Sequence, residues 1–256
     1  MISREPPPGA VAPLPLWPTV AEAFRLMAVN FGTLAKIAAV PFILGLAIDF
    51  VVPFVSAPWS DVLRHLLFNA AWTLFGVSWL RLLLLEDRGA GRALPRLAER
   101  HRRFLNYALL LFVLDLPLIL GWHLFADDPT TPKFPELIYW LFYVITVLVK
   151  LRFAFVFPAV AVDESYSLKL AWQHSRGPSL TLSAAIGLTV IAPVIGVSYA
   201  FTAVSPDAHF LLLAWLAWHL FTWLIEATYL TVVAVAFRTC TGWVPAPDKA
   251  VLERFE

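Results

Sequence analysis

Among the ionisable side chains of this chain, four stand out deep within its long apolar runs: Asp115, Lys150, Arg152 and Glu226. Two of them interrupt the stretch YVITVLVKLRFAFVFP at 143–158. Opposite charges at similar depth in a low-dielectric medium have two uses. They neutralise one another as structural pairs, or they pass protons or ions along a path. Lys150 and Arg152 are two positions apart, so on a helix they point about 200° from each other and need different partners. We expect Lys150 to pair with Glu226 and Arg152 with Asp115, as structural glue. The alternative is that both cations snorkel to headgroups. His219 lies seven residues before Glu226 on the same helical face. A metal would need further ligands at that depth, so neither a metal nor a cofactor is expected.

The elements that must position these groups follow from composition. The chain has 256 residues, of which 60% are hydrophobic and 14% charged, with a mean hydropathy of +0.74. A water-facing domain carries about 25% charged residues. The deficit makes lipid the expected solvent for most of the surface. Residues 1–18 hold six prolines and no apolar signal-like core, and read as an extended cytoplasmic tail. Residues 19–240 read as the membrane domain and 241–256 as a second short cytoplasmic tail. The single cysteine, Cys240, excludes an intramolecular disulfide.

Six apolar runs are long enough to span about 30 Å of hydrocarbon: 34–55, 62–85, 104–125, 137–160, 180–203 and 210–237. Lipid demands an internally satisfied backbone and the runs lack period-two polarity, so helices are expected. The segment after the second run carries Arg88, Arg92, Arg96, Arg100, Arg102 and Arg103, whereas VSPDAH after the fifth has no Lys or Arg. The positive-inside rule then puts both termini in the cytoplasm. Trp59, Trp122, Trp140 and Trp215 fall near the outer interface.

An amphipathic segment precedes each odd-numbered span. Thr19 and Glu22 form a capping-box pattern before Val20, Ala23, Phe24, Met27 and Phe31 at helical spacing. Arg92, Arg96, Arg100 and Arg103 form a basic stripe. Leu168, Ala171, Trp172 and Ser175 share a face that Gly177-Pro178 terminates. Such a helix either lies on the inner leaflet with its arginines on anionic headgroups, or is an elbow that turns the chain. Pro41, Pro117 and Pro193 are each 76 residues apart, as are Asn30 and Asn106, and Lys150 and Glu226. This period predicts three copies of a surface helix followed by a hairpin, over 19–88, 92–164 and 165–240, with each proline kinking its span.

No phosphate-binding, dinucleotide-binding, hydrolase-elbow or zinc-protease motif occurs. The arginine stripe lacks the interleaved aromatics of a nucleic-acid surface. The stretch RFAFVFPAVAVDESYSLKLAWQHSRGPSL at 152–180, through Arg152, Pro158, Asp163, Glu164, Ala171, Ser175 and Gly177, resembles a signature of bacterial six-span inner-membrane proteins. That group is related to the membrane domain fused to some glycerophosphodiester phosphodiesterases. The resemblance implies a membrane domain, and no hydrolase activity carries over with it. The expected molecule is therefore an all-α, polytopic, six-helix inner-membrane protein. It has no catalytic site and takes membrane lipids as its partners. A transporter or channel using the four buried charges is the second reading. An intramembrane enzyme using Glu226 and His219 is the third.

Overall fold

The computed structural model describes residues 13–56, 59–86, 98–125, 134–202 and 208–245. Among the described residues the chain is entirely helical. The helices are α1 (Leu16–Val29), α2 (Phe31–Val51), α3 (Trp59–Leu85), α4 (Glu99–Phe112), α5 (Leu116–Phe125), α6 (Phe134–Phe153), α7 (Val156–Ala161), α8 (Leu168–His174), α9 (Ser179–Ile186), α10 (Ala192–Thr202) and α11 (Ala208–Thr241). Four stretches are long and apolar enough to cross a membrane: Phe31–Val51, Trp59–Leu85, Ser179–Ala200 and Leu212–Thr241. They are compatible with an integral membrane protein.

The expected third and fourth spans are not single helices. The run 104–125 is broken at Val113–Asp115 between α4 and α5, and 137–160 at Ala154–Phe155 between α6 and α7. Proline explains both. A proline lacks the N–H that would bond the carbonyl four residues back, and it fits most readily in the first turn of a helix. Pro117 is the second residue of α5 and Pro158 the third of α7. Each therefore begins a new helix instead of kinking an old one. The three prolines of the 76-residue period behave differently from one another. Pro41 is buried within an unbroken α2, and Pro117 follows the break. Pro193 follows a π-helical turn at Gly187–Ile191 that joins α9 to α10. Asn30 sits at the α1–α2 elbow, donating from its backbone N–H and Nδ2 to Leu26 O at 3.1 and 2.9 Å. Asn106 lies exposed in mid-helix.

The capping box expected at Thr19 does not form. α1 begins earlier, at Leu16, and Thr19 Oγ1 donates to Pro15 O at 2.6 Å from inside the helix. Glu22 instead pairs with Arg25 at 2.7 Å. α1 buries Val20, Ala23 and Met27 against α11 and α9, while Phe24 and Phe31 remain exposed.

The core gathers around α3 and α11. Trp79 is fully buried, and its indole donates to Thr231 Oγ1 at 3.0 Å and Ala227 O at 3.3 Å. A Cβ on Gly76 would meet Phe104 Cζ at 2.8 Å, so the glycine is what lets α4 close on α3. Trp72, Phe104 and Phe157 form an aromatic triangle with centroids 4.8–5.1 Å apart. It binds α3, α4 and α7 together within the favourable range for edge and tilted ring pairs.

Candidate functional site

The helix breaks decide where the buried charges meet. At the α4–α5 break the chain turns on Asp115, whose N–H bonds Phe112 O at 2.8 Å and whose carbonyl accepts from Leu118 and Ile119. This turn exposes the Asp115 carboxylate to α6, where Lys150 Nζ forms an ion pair with its Oδ2. The pairing differs from the expected one. Lys150 takes Asp115, not Glu226, as its ion-pair partner. Glu226 is half-buried on α11. Sequence depth placed the four charges at one level. It could not foresee the break that swings Asp115 toward Lys150.

Arg152 does not reach Asp115 either. Its Nη1 donates to Ser175 O at 3.0 Å, and Ser175 Oγ donates back to Arg152 O at 2.8 Å. Its guanidinium lies 4.6 Å from the centroid of the Trp172 ring, a cation–π distance. Together these contacts lock the α8 elbow onto the end of α6. Ser167 caps α8 by accepting from Leu170 N at 3.2 Å.

The same end of the bundle carries the arginines. Arg92 and Arg96 lie outside the described residues. Arg100 and Arg103 turn toward the α7–α8 connection: Arg100 Nη1 is 3.3 Å from Asp163 Oδ2, and Arg103 Nη2 donates to Glu164 O at 3.1 Å. Arg81 of α3 joins them, donating to Asp163 Oδ2 at 3.2 Å and Ala161 O at 3.1 Å. Glu164 Oε1 accepts from the Trp243 indole at 3.0 Å. Asp163 holds φ +64°, a left-handed conformation that aspartate tolerates better than most residues. Most of the resemblance motif thus has a mechanical role here. Arg152, Ser175, Asp163 and Glu164 stitch α6, α7 and α8 to α3, α4 and the segment after α11. Beyond this connection, the Tyr166 phenol and His174 Nδ1 share a 2.7 Å bond. Burial pushes the tyrosine up and the histidine down from their ordinary pKa values.

A second charged cluster, built on Asp49, lies toward the other end. His219 Nε2 is 2.8 Å from Asp49 Oδ2, and Arg64 Nε is 3.2 Å from Asp49 Oδ1. Arg64 also pairs with Asp61 at 3.2 Å. The grouping of His219 with Glu226 by helical spacing gives way to a contact across α11, α2 and α3. Residues 49 and 64 flank the short α2–α3 turn, and that proximity was the available signal.

Between α2, α3 and α4 runs a groove of about 680 Å³. Its deep wall is apolar: Leu44 and Ile48 from α2, Leu67, Ala70, Ala71 and Leu74 from α3, and Leu105 from α4. Thr73 also lines it, but its hydroxyl is satisfied by Asn69 O at 2.8 Å. The polar lining comes from the first turn of α4, as Glu99, His101 and Arg102. Arg102 and Glu99 form an exposed 2.7 Å pair. His101 is buried, its Nδ1 accepts the Ala98 N–H at 3.1 Å, and its Nε2 has no partner among the described residues. An apolar trough with a charged rim at the basic end of the bundle has the polarity profile of a lipid: hydrocarbon, then linkage, then headgroup. No protein-family model, curated protein or solved structure matches this chain.

Proposed function

We propose that this protein is a non-enzymatic, lipid-interacting integral membrane protein that seats a phospholipid chain between α2, α3 and α4. The observation that carries the reading is the groove itself, with its apolar wall and the charged first turn of α4 at its rim. In this reading the protein sits in a bacterial inner membrane with both termini cytoplasmic. α4–α5 and α6–α7 serve as the third and fourth of six crossings, and the three hairpins descend from one repeated unit. The arginine-rich segment before α4, Arg92 and Arg96 included, meets anionic headgroups of the cytoplasmic leaflet. Asp115, Lys150 and Glu226 hold the bundle together, and Arg152 secures its elbow. Membership of the six-span group resembled by 152–180 is consistent with this role in envelope upkeep.

One observation favours a second reading, transport of a small solute or ion. Discontinuous helices with charges at the break are a recurring feature of transporter binding sites, and Asp115 occupies such a break. The lining of the groove, however, does not include Asp115, Lys150 or Glu226.

Native mass spectrometry of the detergent-purified protein separates the two. Ala70 lines the groove and is exposed on α3, so Ala70→Trp blocks the trough without entering the core. Retained lipid should survive gentle delipidation in the unaltered chain and be lost in Ala70→Trp. Equal retention by both, or none by either, would overturn the lipid reading. Solute uptake that depends on Asp115 would replace it with transport.

A further inference from the structure

We infer that His101 anchors the glycerol-ester region of an anionic diacyl phospholipid, donating from Nε2–H to an acyl-ester carbonyl while Arg102 meets the phosphate. The inference rests on the lipid-seating reading above and specifies its ligand. Three observations carry it.

The first is the tautomer. A backbone N–H can only donate, so Nδ1, which receives the Ala98 N–H at 3.1 Å, carries no proton. A neutral imidazole then has its proton on Nε2, as a donor. Burial opposes protonation of this ring. Arg81, Arg100 and Asp163, whose charges act on this ring, engage one another through Asp163 at 3.2 and 3.3 Å.

The second is the orphaned donor. His101 is 8% exposed, and its Nε2 has no hydrogen-bond partner among the described residues. Buried polar groups in native proteins are almost always satisfied, so an unpaired one at the wall of a groove points to an acceptor the structure does not hold. A carbonyl attached to a hydrocarbon chain fits a single neutral donor set in an otherwise apolar trough.

The third is the set of chemistries that line the groove. Leu67 to Leu74 on α3 offer about 10 Å of apolar wall at 1.5 Å rise per residue. His101 and the solvent-exposed Arg102, from the first turn of α4, line the same groove. An apolar wall, a neutral donor and a cation match the chain, ester and phosphate of a phospholipid. The exposed Glu99–Arg102 pair is of the kind held only weakly, so Arg102 can exchange its carboxylate for a phosphate.

The test uses the full chain in detergent, titrated with ester-linked and ether-linked phosphatidylglycerol of equal chain length and read by native mass spectrometry. The ether lipid lacks the carbonyl and keeps everything else. The unaltered protein should bind the ester lipid about five- to tenfold more tightly, the range one net hydrogen bond supplies. His101→Leu should bring the two lipids to equal affinity. Arg102→Gln should weaken the preference for phosphatidylglycerol over phosphatidylethanolamine while preserving the ester–ether ratio. Equal binding of ester and ether lipid to the unaltered chain, with retention still abolished by Ala70→Trp, overturns the role of His101 and leaves the seat standing. Non-saturable binding that ignores Ala70→Trp overturns both. If His101→Leu does not fold, the ester–ether comparison on the unaltered protein decides alone.

Discussion

The two halves of α3 differ in composition and in surroundings: Ser60, Asp61, Arg64, His65 and Asn69 interrupt the first half, and the second is more apolar. From Trp59 to Ala70 every residue is exposed or half-buried, whereas from Ala71 to Leu85 all but three are buried. α11 repeats the contrast, its buried positions beginning at Trp223. The packed halves lie at the arginine-bearing end, where α1, α4, α7 and α9 all close on α3 and α11. At the other end Phe54, Trp59, Leu212 and Leu213 are exposed. In a membrane, burial against protein and exposure to acyl chains are both acceptable to an apolar side chain. Hydropathy alone therefore cannot tell core from lipid-facing surface. What closes one end is the set of short elements that polar contacts hold in place: α8 through Arg152–Ser175, and the α7–α8 turn through Asp163.

Substitutions that treat the two ends alike should test this contrast most severely. Trp79→Ala empties a fully buried site and removes the bond to Thr231, and should cost about 3–5 kcal/mol. Trp59→Ala, at a 63% exposed position, should cost about 0.5 kcal/mol or less. Unfolding of both variants in mixed detergent measures the gap, and similar losses would show that the ends are equally packed.

The next largest effect concerns the buried pair. Asp115→Asn and Lys150→Met, taken singly and together, should show a coupling energy above about 1 kcal/mol. The cycle of Lys150→Met with Glu226→Leu should give a smaller coupling, because no direct contact joins those two side chains in the structure described. A reversal of that order would restore the pairing expected from depth alone.

At the packed end, Asp163→Gly keeps the left-handed backbone but releases Arg81 and Arg100. A loss of about 1–2 kcal/mol is expected. Asp163→Asn, which retains an acceptor and tolerates the φ of +64°, should lose less. If Gly and Asn behave alike, the backbone conformation and not the carboxylate holds the turn.

The smallest effect is with pH. Burial lowers the proton affinity of His101 and His174 in the folded state. The unfolded chain therefore binds more protons in the window just below the ordinary histidine value of 6.5. Stability should rise with pH through that window and fall as pH drops below it. His174→Phe should flatten this acid limb modestly in thermal unfolding scans at pH 5–7, whereas an unchanged slope would place the titration elsewhere.

Much of the architecture was legible in the residues. Apolar runs of span length cannot satisfy their backbone in lipid except as helices, so helix type and rough placement followed from composition. The α8 elbow followed from the face shared by Ala171 and Ser175. Other features were not legible because they depend on competition between segments. Pro117 and Pro158 can kink or restart a helix, and only the packing of α4 and α7 against α3 selects restarting. Thr19 has the spacing of a cap, yet α1 extends past it to Leu16.

By itself the sequence determined that this chain is helical, that it carries runs long and apolar enough to cross a membrane, and that the charges within those runs must find partners, because these follow from backbone chemistry and solvation energy at each position. Tertiary structure decided which partners they find. Lys150 chose Asp115 once the break at 113–115 had turned that carboxylate toward α6, and Asp49 of α2 met His219 of α11 and Arg64 of α3. The trough beside His101 also belongs to the fold alone. It is the space left between three helices whose spacing is set by how closely Phe104 can approach Gly76, a quantity that no single segment encodes.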